Sequence, residues 1–429
     1  MESHRTWLKL MFILTVEFSV LKWTHGWKTL EDGGNTQRMD LNLSELRKAV
    51  EEIELVDGHS HSIVDLHSDS HFIHAFTVGA FADADAIAFS QHALSFKVTS
   101  SHHFCFLIIL LLVLQTSFLV HRNLRDIAEL YELELSLENI EEYRRHFGIQ
   151  SICSTCFKAA RISAMLIDDG LEVDKRQEIE WHKSFVPFVG RIVRIERMAE
   201  KILEQDLPPG SSWTLDAFTK AYVSNITVTV AGEVYALKTI AAYYSGLQIN
   251  TNLTDHEAEE GLREVSNATK PFLLFNNKKL VDYVFLRSLE VALSYDLPVQ
   301  IHTGFGDKFL DLRLSNPLHL RPLLEDKRYS KCRFVYLDFG LAIPKLSVHG
   351  MITSVKELLD LAPSNKVMFS TDGYSFPETF YLGAKNSREV VFSVLRDACI
   401  DGDLSIPEAV EVAKDILARN AIRFYNIST

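Results

Sequence analysis

The stretch Val56-Asp57-Gly58-His59-Ser60-His61-Ser62-Ile63-Val64 decides how this chain is read. A short apolar run leads into an acid, a glycine and two histidines one residue apart. Side chains alternate along an extended backbone, so His59 and His61 project from the same face. Two imidazoles so placed grip one divalent ion. A lone His-x-His pair arises by chance often enough that the case depends on the rest of the chain.

The rest repeats the pattern of an apolar run ending in a polar residue. Residues 163–167 lead to Asp168, 234–237 to Lys238, 297–301 to His302 and 366–371 to Asp372. Residues 185–195 contain a further run, and 333–337 another. Between them lie helical patterns at 43–53, 124–131, 137–147, 212–223 (with a cap at Ser211 or Ser212), 280–295, 355–361 and 406–420. Strands alternating with helices predict a parallel α/β architecture. In a closed parallel barrel the strand C-termini share one mouth, where residues far apart in sequence meet. The expectation is therefore a TIM-type (β/α)8 barrel with a metal site anchored at its first strand. Imidazole and carboxylate ligands suit Zn²⁺ first, with Fe²⁺ or Mn²⁺ as alternatives. Such an ion lowers the pKa of bound water and polarises a carbonyl, with Asp372 as the candidate acid–base group.

Composition narrows the partners. Of 429 residues, 47% are hydrophobic and 24% charged, enough for a buried core. A net charge of -13 repels a phosphate backbone, which argues against nucleic acid and for a small-molecule substrate. Association of copies into a homo-oligomer is left open. The 5 cysteines, Cys105, Cys153, Cys156, Cys332 and Cys399, form no disulfide framework and suit a reducing, cytoplasmic compartment. Cys153 and Cys156 form a lone Cys-x-x-Cys, better read as small buried residues than as a zinc or redox pair.

Two segments stand outside this pattern. Residues 1–38 read as an N-terminal extension, with the barrel domain over 39–429. Its apolar stretch contains Lys9, Glu17 and Lys22, which makes a poor secretion signal. Residues 104–120 (FCFLIILLLVLQTSFLV) carry no charge and, at ~17 residues, sit at the short edge of a membrane span. A membrane association follows only if they insert. Residues 95–97 would join smoothly to 122–126, so residues 98–121 read as an apolar insertion.

The segments VDGHSHSIV, ISAMLIDDGL, IEWHKSFVPFVGRI, ALKTIAAYYSGL, PVQIHTGFGDKFLDLRLSNPLHLRPLLEDKR and KVMFSTDGYSFPETFYLGAK carry a family likeness. Together they resemble the amidohydrolase-related (amidohydrolase-2) domain of plant nodulin–glutamine synthetase-like and fungal FluG-type proteins. The resemblance implies metal-dependent hydrolysis or decarboxylation, and ligand roles for His59, His61, His302 and Asp372. Some relatives carry a carboxylated lysine on the fourth strand that bridges two metals, a role open to Lys238; relatives with a mononuclear site have no such bridge, and a salt bridge or substrate contact is the preferred reading of this lysine. His182 lines the mouth or makes a loop hydrogen bond. Arg313 and Asp307 meet an anionic substrate or each other.

Two departures from the family follow. His302 and Asp372 are 372 − 302 = 70 residues apart, short for three units of ~30 residues each. The His-Ala-x-Tyr-Pro-Phe-type motif expected after the sixth strand has no counterpart. One βα unit therefore reads as missing, with two strands fused over residues 335–339. The expected function is hydrolysis of an amide-like C–N bond by metal-activated water. The alternatives are a catalytically impaired barrel serving as a binding or scaffold module, or a glutamate–ammonia ligase-like label by association, for which no nucleotide-binding module is visible.

Overall fold

The apolar runs pair as strands in sequence order, with helices in the connections between them. Strands β1 (Leu55–His61), β2 (Ile162–Asp168), β3 (Phe188–Arg194), β4 (Val234–Thr239) and β5 (Val299–Ile301) form one sheet in that order, all parallel. The computed structural model describes residues 35–70, 72–76, 118–171, 173–205, 212–266, 277–306, 310–333, 336–340 and 346–428. The chain divides into two compact units, Met1–Glu45 and Leu46–Thr429. The division falls inside helix α1 (Asn35–Glu52), later than the boundary expected at 38/39.

Pairing continues beyond β5. Pro298 bridges Arg333 in parallel, and the Val299 N–H donates to the Arg333 carbonyl at 2.9 Å. Further along the same segment, β6 (Leu337–Asp338) pairs with β7 (Val367–Met368). The chain after β7 then returns to β1. Gly58 donates to Phe369 O at 3.4 Å, Asp372 to His59 O at 3.1 Å and His61 to Gly373 O at 2.7 Å. Backbone pairing among the described residues thus passes from β1 around to β7 and back to its start. Arg333 thus meets the start of β5, and Leu337–Asp338 meet β7. Among the described residues of the strand expected at 333–337, Leu337 is in regular strand and Arg333 forms an isolated bridge.

Helices cover the outer face: α2 (Phe118–Leu130), α3 (Leu137–Ala160), α4 (Ile195–Leu203), α5 (Leu215–Val230), α6 (Asp255–Ser266), α7 (Lys278–Ser294), α8 (Val348–Leu361), α9 (Pro377–Asp401) and α10 (Ile406–Lys414). Side-chain caps set several starts. Ser136 accepts from Asn139 N at 3.4 Å, and Asn277 from Leu280 N at 3.0 Å. Thr214, not Ser211 or Ser212, caps α5, accepting from Ala217 N at 3.2 Å. Within α3 the first helical stretch ends at Phe147, as expected: Gly148, at φ 76° and ψ 163°, is non-helical, and a second stretch runs on to Ala160.

Residues 98–117 of the expected insertion lie outside the described residues. At its C-terminal edge, α2 starts at Phe118, and Val120 packs with Leu124, Ile127, Ala128 and Tyr131. These positions fall on one helical stripe facing the core. Among the described residues, no helix is long and apolar enough to cross a membrane.

The two-residue period of the strands sorts the core into layers. Met165 and Ile167 of β2 face a cluster with α1, α3 and α9. Ala164 and Leu166 face inward, joining Val56, Ile192, Ala236 and Met368, with Phe424 and Tyr425 from the C-terminal segment. Each fully buried Val, Leu, Ile or Met side chain among them contributes about 1.5–3 kcal/mol. Continuing the inward file by two residues reaches Asp168 on β2, Arg194 on β3 and Lys238 on β4. The interior is apolar at one level and charged at the next, and the site occupies that charged level.

Candidate metal centre

Strand β1 changes register between Asp57 and Ser60, then aligns His61 with Asp168 of β2. The rings of His59 and His61 lie 5.0 Å apart, edge to face at 84°. His61 Nδ1 is 3.1 Å from the Asp168 backbone carbonyl. A carbonyl only accepts, so Nδ1 carries the proton and Nε2 keeps its lone pair for a ligand. The Asp372 N–H holds onto His59 O, and its backbone sits in the left-handed region at φ 48°. Its Oδ1 lies 3.5 Å from His59 Nε2 and 3.6 Å from His61 Nε2.

These spacings can be tested against a metal. Two ligand atoms each ~2.1 Å from a tetrahedral ion are about 3.4 Å apart. The observed separations match that value and are long for direct hydrogen bonds. His59 Nδ1 is also buried with no hydrogen-bond partner among the described residues. The imidazole–carboxylate donor set and its spacing fit a divalent ion.

Asp57 ties the two halves of the site together. It accepts from Thr371 N at 2.9 Å, from the Thr371 hydroxyl and from His59 N at 3.3 Å. Burial pushes its carboxyl up to about 7, with those hydrogen bonds opposing. Gln300 of β5 braces the floor, donating to Gly58 O and to Tyr425 Oη, both at 2.8 Å.

Asp168 is a second carboxylate beside the histidines. One ligand atom from each of His59, His61 and Asp168 lies within 4.8 Å of the others. Both Asp168 oxygens are already engaged: one accepts from Gly170 N at 2.9 Å, the other from Arg194 at 2.6 and 3.2 Å. Burial would raise its pKa. The Arg194 guanidinium, with His61, His59 and Lys238, outweighs that and holds the carboxyl below the usual range. Asp372 is likewise held low: burial raises it, but the neighbouring His61 and His59 imidazoles and Lys238 prevail. Burial pushes His59 down, helped by Lys238 and His61. Lys238, the last but one residue of β4, is buried, forms no ion pair among the described residues, and is lowered by burial first and by Arg194.

The other sequence candidates fall elsewhere. His302 follows β5, donates its N–H to Thr239 O at 3.1 Å, and lies with its ring 4.7 Å from that of Tyr243. It is not in the cluster of ligand atoms formed by His59, His61 and Asp168. His182 is buried and structural: its Nε2 accepts from Ile63 N at 3.1 Å and its Nδ1 donates to Glu178 O at 2.9 Å. Arg313 pairs with Asp311 at 2.6 Å on the surface; Asp307 lies outside the described residues. Cys153 and Cys156 are buried, and burial pushes both thiols up, which disfavours the thiolate that zinc or redox chemistry needs. The sequence reading missed the parts played by Asp168 and Arg194. Their signal was the file of inward positions at the ends of β2 and β3.

With this geometry in place, the fold can be compared with solved structures, and it is similar to α/β barrels of proteins described as a metal-dependent hydrolase and as uronate isomerases. A structure from Lactobacillus casei, provisionally assigned as a metal-dependent hydrolase, superposes with a TM-score of 0.72 at 19% identity, covering 89% of this chain and 97% of that one. Uronate isomerase from Thermotoga maritima gives 0.60 at 14% identity, covering 90% and 97%. Glucuronate isomerase from Caulobacter crescentus gives 0.58 at 14%, covering 91% and 95%. Among curated proteins, Protein fluG of Emericella nidulans is 26% identical over 435 residues, covering 90% of this chain and 47% of that protein. The chain spans about half the length of that relative. The relative is fungal; nothing in these comparisons supports the plant nodulin-like side of the resemblance. No family model matches the chain.

Proposed function

We propose that this chain is a metal-dependent hydrolase of the amidohydrolase superfamily, acting on an amide-like C–N bond of a small molecule. The observation that carries the reading is the pair of 3.5 and 3.6 Å gaps between Asp372 Oδ1 and the two histidine Nε2 atoms. His59, His61 and Asp372 would hold a divalent ion, Zn²⁺ foremost, with His302 and Lys238 as further candidates. Such an ion, when bound, acidifies water and polarises a carbonyl. The chain's own residues set the conditions. The Asp168 carbonyl fixes the His61 tautomer. Asp57 locks Thr371 and hence Asp372 onto β1. The Asp372 carboxylate is positioned to take a proton, and buried Lys238 supplies positive charge beside the site.

Metal analysis tests this. Purified protein should contain stoichiometric Zn, Fe or Mn, and His59→Ala and Asp372→Ala should lose it. Folded protein that binds none of these metals would sink the proposal. The substrate panel should span amides, cyclic ureas and deaminase substrates. It should also include uronates, because two of the structural neighbours are uronate isomerases.

One observation favours a second reading, an impaired barrel used for binding. Arg333 pairs beside β5 and Leu337–Asp338 pair with β7, an arrangement that fusion of two strands of an eight-stranded ancestor, with the unit between them lost, would give. Metal binding without turnover of any panel member would support that reading. A cytoplasmic location and the status of residues 98–117 as an insertion remain parts of this proposal.

A further inference from the structure

Beside the metal centre, between α4 and α5, lies a cavity of about 220 Å³ with unusual charge. Four cationic side chains line it, Arg191, Arg194, Arg197 and Lys201, against the single carboxylate of Asp169. Asn225 and Thr229, one turn apart on α5, add neutral polar groups. The charge follows from local sequence. Arg194 caps α4, and Arg197 and Lys201 fall three and seven residues later, along one helical face.

The cations are held in place rather than freely mobile. Arg191 pairs with Asp169 at 2.6 Å, Arg194 with Asp168 at 2.6 Å, and Arg197 with Glu200 at 3.0 Å and Glu204 at 3.3 Å. The side chains of Asp168, Glu200 and Glu204 compensate charge from outside the cavity lining. A guanidinium has five N–H donors, and Asp168 takes only two of those on Arg194. Lys201 is exposed and forms no ion pair among the described residues. The result is a preset fork of donors with a lone ammonium beside it, which matches a tetrahedral or planar oxyanion.

Size limits the ligand. At ~30 Å³ per water, the cavity holds about seven waters. That suits a small anion with part of its hydration shell, and falls short of the ~300 Å³ at which drug-sized sites begin. An adjoining cavity of about 400 Å³ shares Asp169, Arg191, Lys201 and Thr229 and leaves room for the remainder of a larger molecule.

We propose that the Arg191–Arg194–Arg197–Lys201 cavity is a binding site for a small dianion of the phosphate class, separate from the metal centre. Neither His59, His61 nor Asp372 lines it. The proposal goes beyond the hydrolase reading and stands or falls independently of it.

The test is isothermal titration of the full-length protein with inorganic phosphate, sulfate and succinate, in parallel with His59→Ala, Lys201→Ala and Arg197→Ala/Lys201→Ala. Lys220→Ala, an exposed lysine elsewhere, serves as the control. Circular dichroism and melting temperature check that each variant is folded. The expected result is one saturable phosphate site, unchanged in His59→Ala and Lys220→Ala. It should weaken about fivefold in Lys201→Ala and tenfold or more (roughly) in the double variant. Phosphate preferred over succinate places a phosphoryl group in the cavity, whereas succinate preferred makes the dianion a dicarboxylate and overturns the phosphate assignment. Binding lost in His59→Ala would show that phosphate sits on the metal centre and would overturn the proposal. So would wild-type affinity in the folded double variant, or no binding up to about 10 mM.

Discussion

Replacing Arg194 by methionine separates the structural and chemical roles of the charged level in the barrel. The Arg194 side chain is 12% exposed and Asp168 is fully buried, and two hydrogen bonds of 2.6 and 3.2 Å join them. Methionine keeps much of the volume but leaves the Asp168 carboxylate without its guanidinium. Removing one partner of a buried ion pair costs about 3–5 kcal/mol. Unfolding entropy of ~2.1 cal/mol/K per residue amounts to about 0.8 kcal/mol/K for the unit Leu46–Thr429, so the melting temperature should fall by about 4–6 °C. The freed carboxylate lies within 4.8 Å of ligand atoms on both histidines. A bound cation would then replace the lost positive charge. Added Zn²⁺ should raise the melting temperature of Arg194→Met by more than it raises that of the wild type, and calorimetry with and without zinc reads both values. A variant as stable as wild type would refute the account of the ion pair. An equal zinc-induced rise in the two proteins would refute the placement of Asp168 beside the metal.

Three further outcomes are expected. Glu196 is fully buried, and burial raises its carboxyl to about 7 against hydrogen bonds from Thr239 and Ile240. Between about pH 4.5 and 7 the folded chain then holds a proton that the unfolded chain has released. Stability should fall as pH rises through that window, by at most about 3 kcal/mol, and Glu196→Gln should flatten the dependence in urea titrations at pH 5 and 8. A Cβ at Gly190 would lie 2.4 Å from Tyr235 Cδ2 and 2.7 Å from Leu166 Cδ2. Gly190→Ala should therefore cost about 1–3 kcal/mol by overpacking, and an unchanged urea midpoint would contradict this. Deleting residues 98–117 tests the insertion: metal content and melting temperature should match the full chain, and a loss of folding would show that the segment belongs to the domain.

Much of the fold could be read from the sequence, because apolar runs of period two and helices of period 3.6 are local properties. Strand β4 matches the reading over residues 234–239, and β2 differs by one residue at its start. Strand ends were less legible where pairing decides them. Arg333 to Asp338 looks like one strand, yet its first and last residues serve different neighbours. The start of α2 at Phe118 was obscured by the apolar run in front of it, since a core stripe and the tail of an uncharged segment have the same composition. In the site, His59, His61 and Asp372 were legible because each ends an apolar run with a side chain suited to a metal. Asp168 ends a run too, but nothing local distinguishes a ligand from a counter-charge.

Sequence alone determined the parallel α/β class and picked out His59 and His61 as the candidate pair. These depend on periodicity and residue type. The tertiary structure decided which charges share a space. It set Asp372 Oδ1 between the two histidines, committed Asp168 to Arg194, gave His302 to Tyr243 and gathered four cations around one cavity. The physical reason is that a charge reaches its partner through the register and curvature of strands dozens of residues apart, and no local pattern encodes that distance.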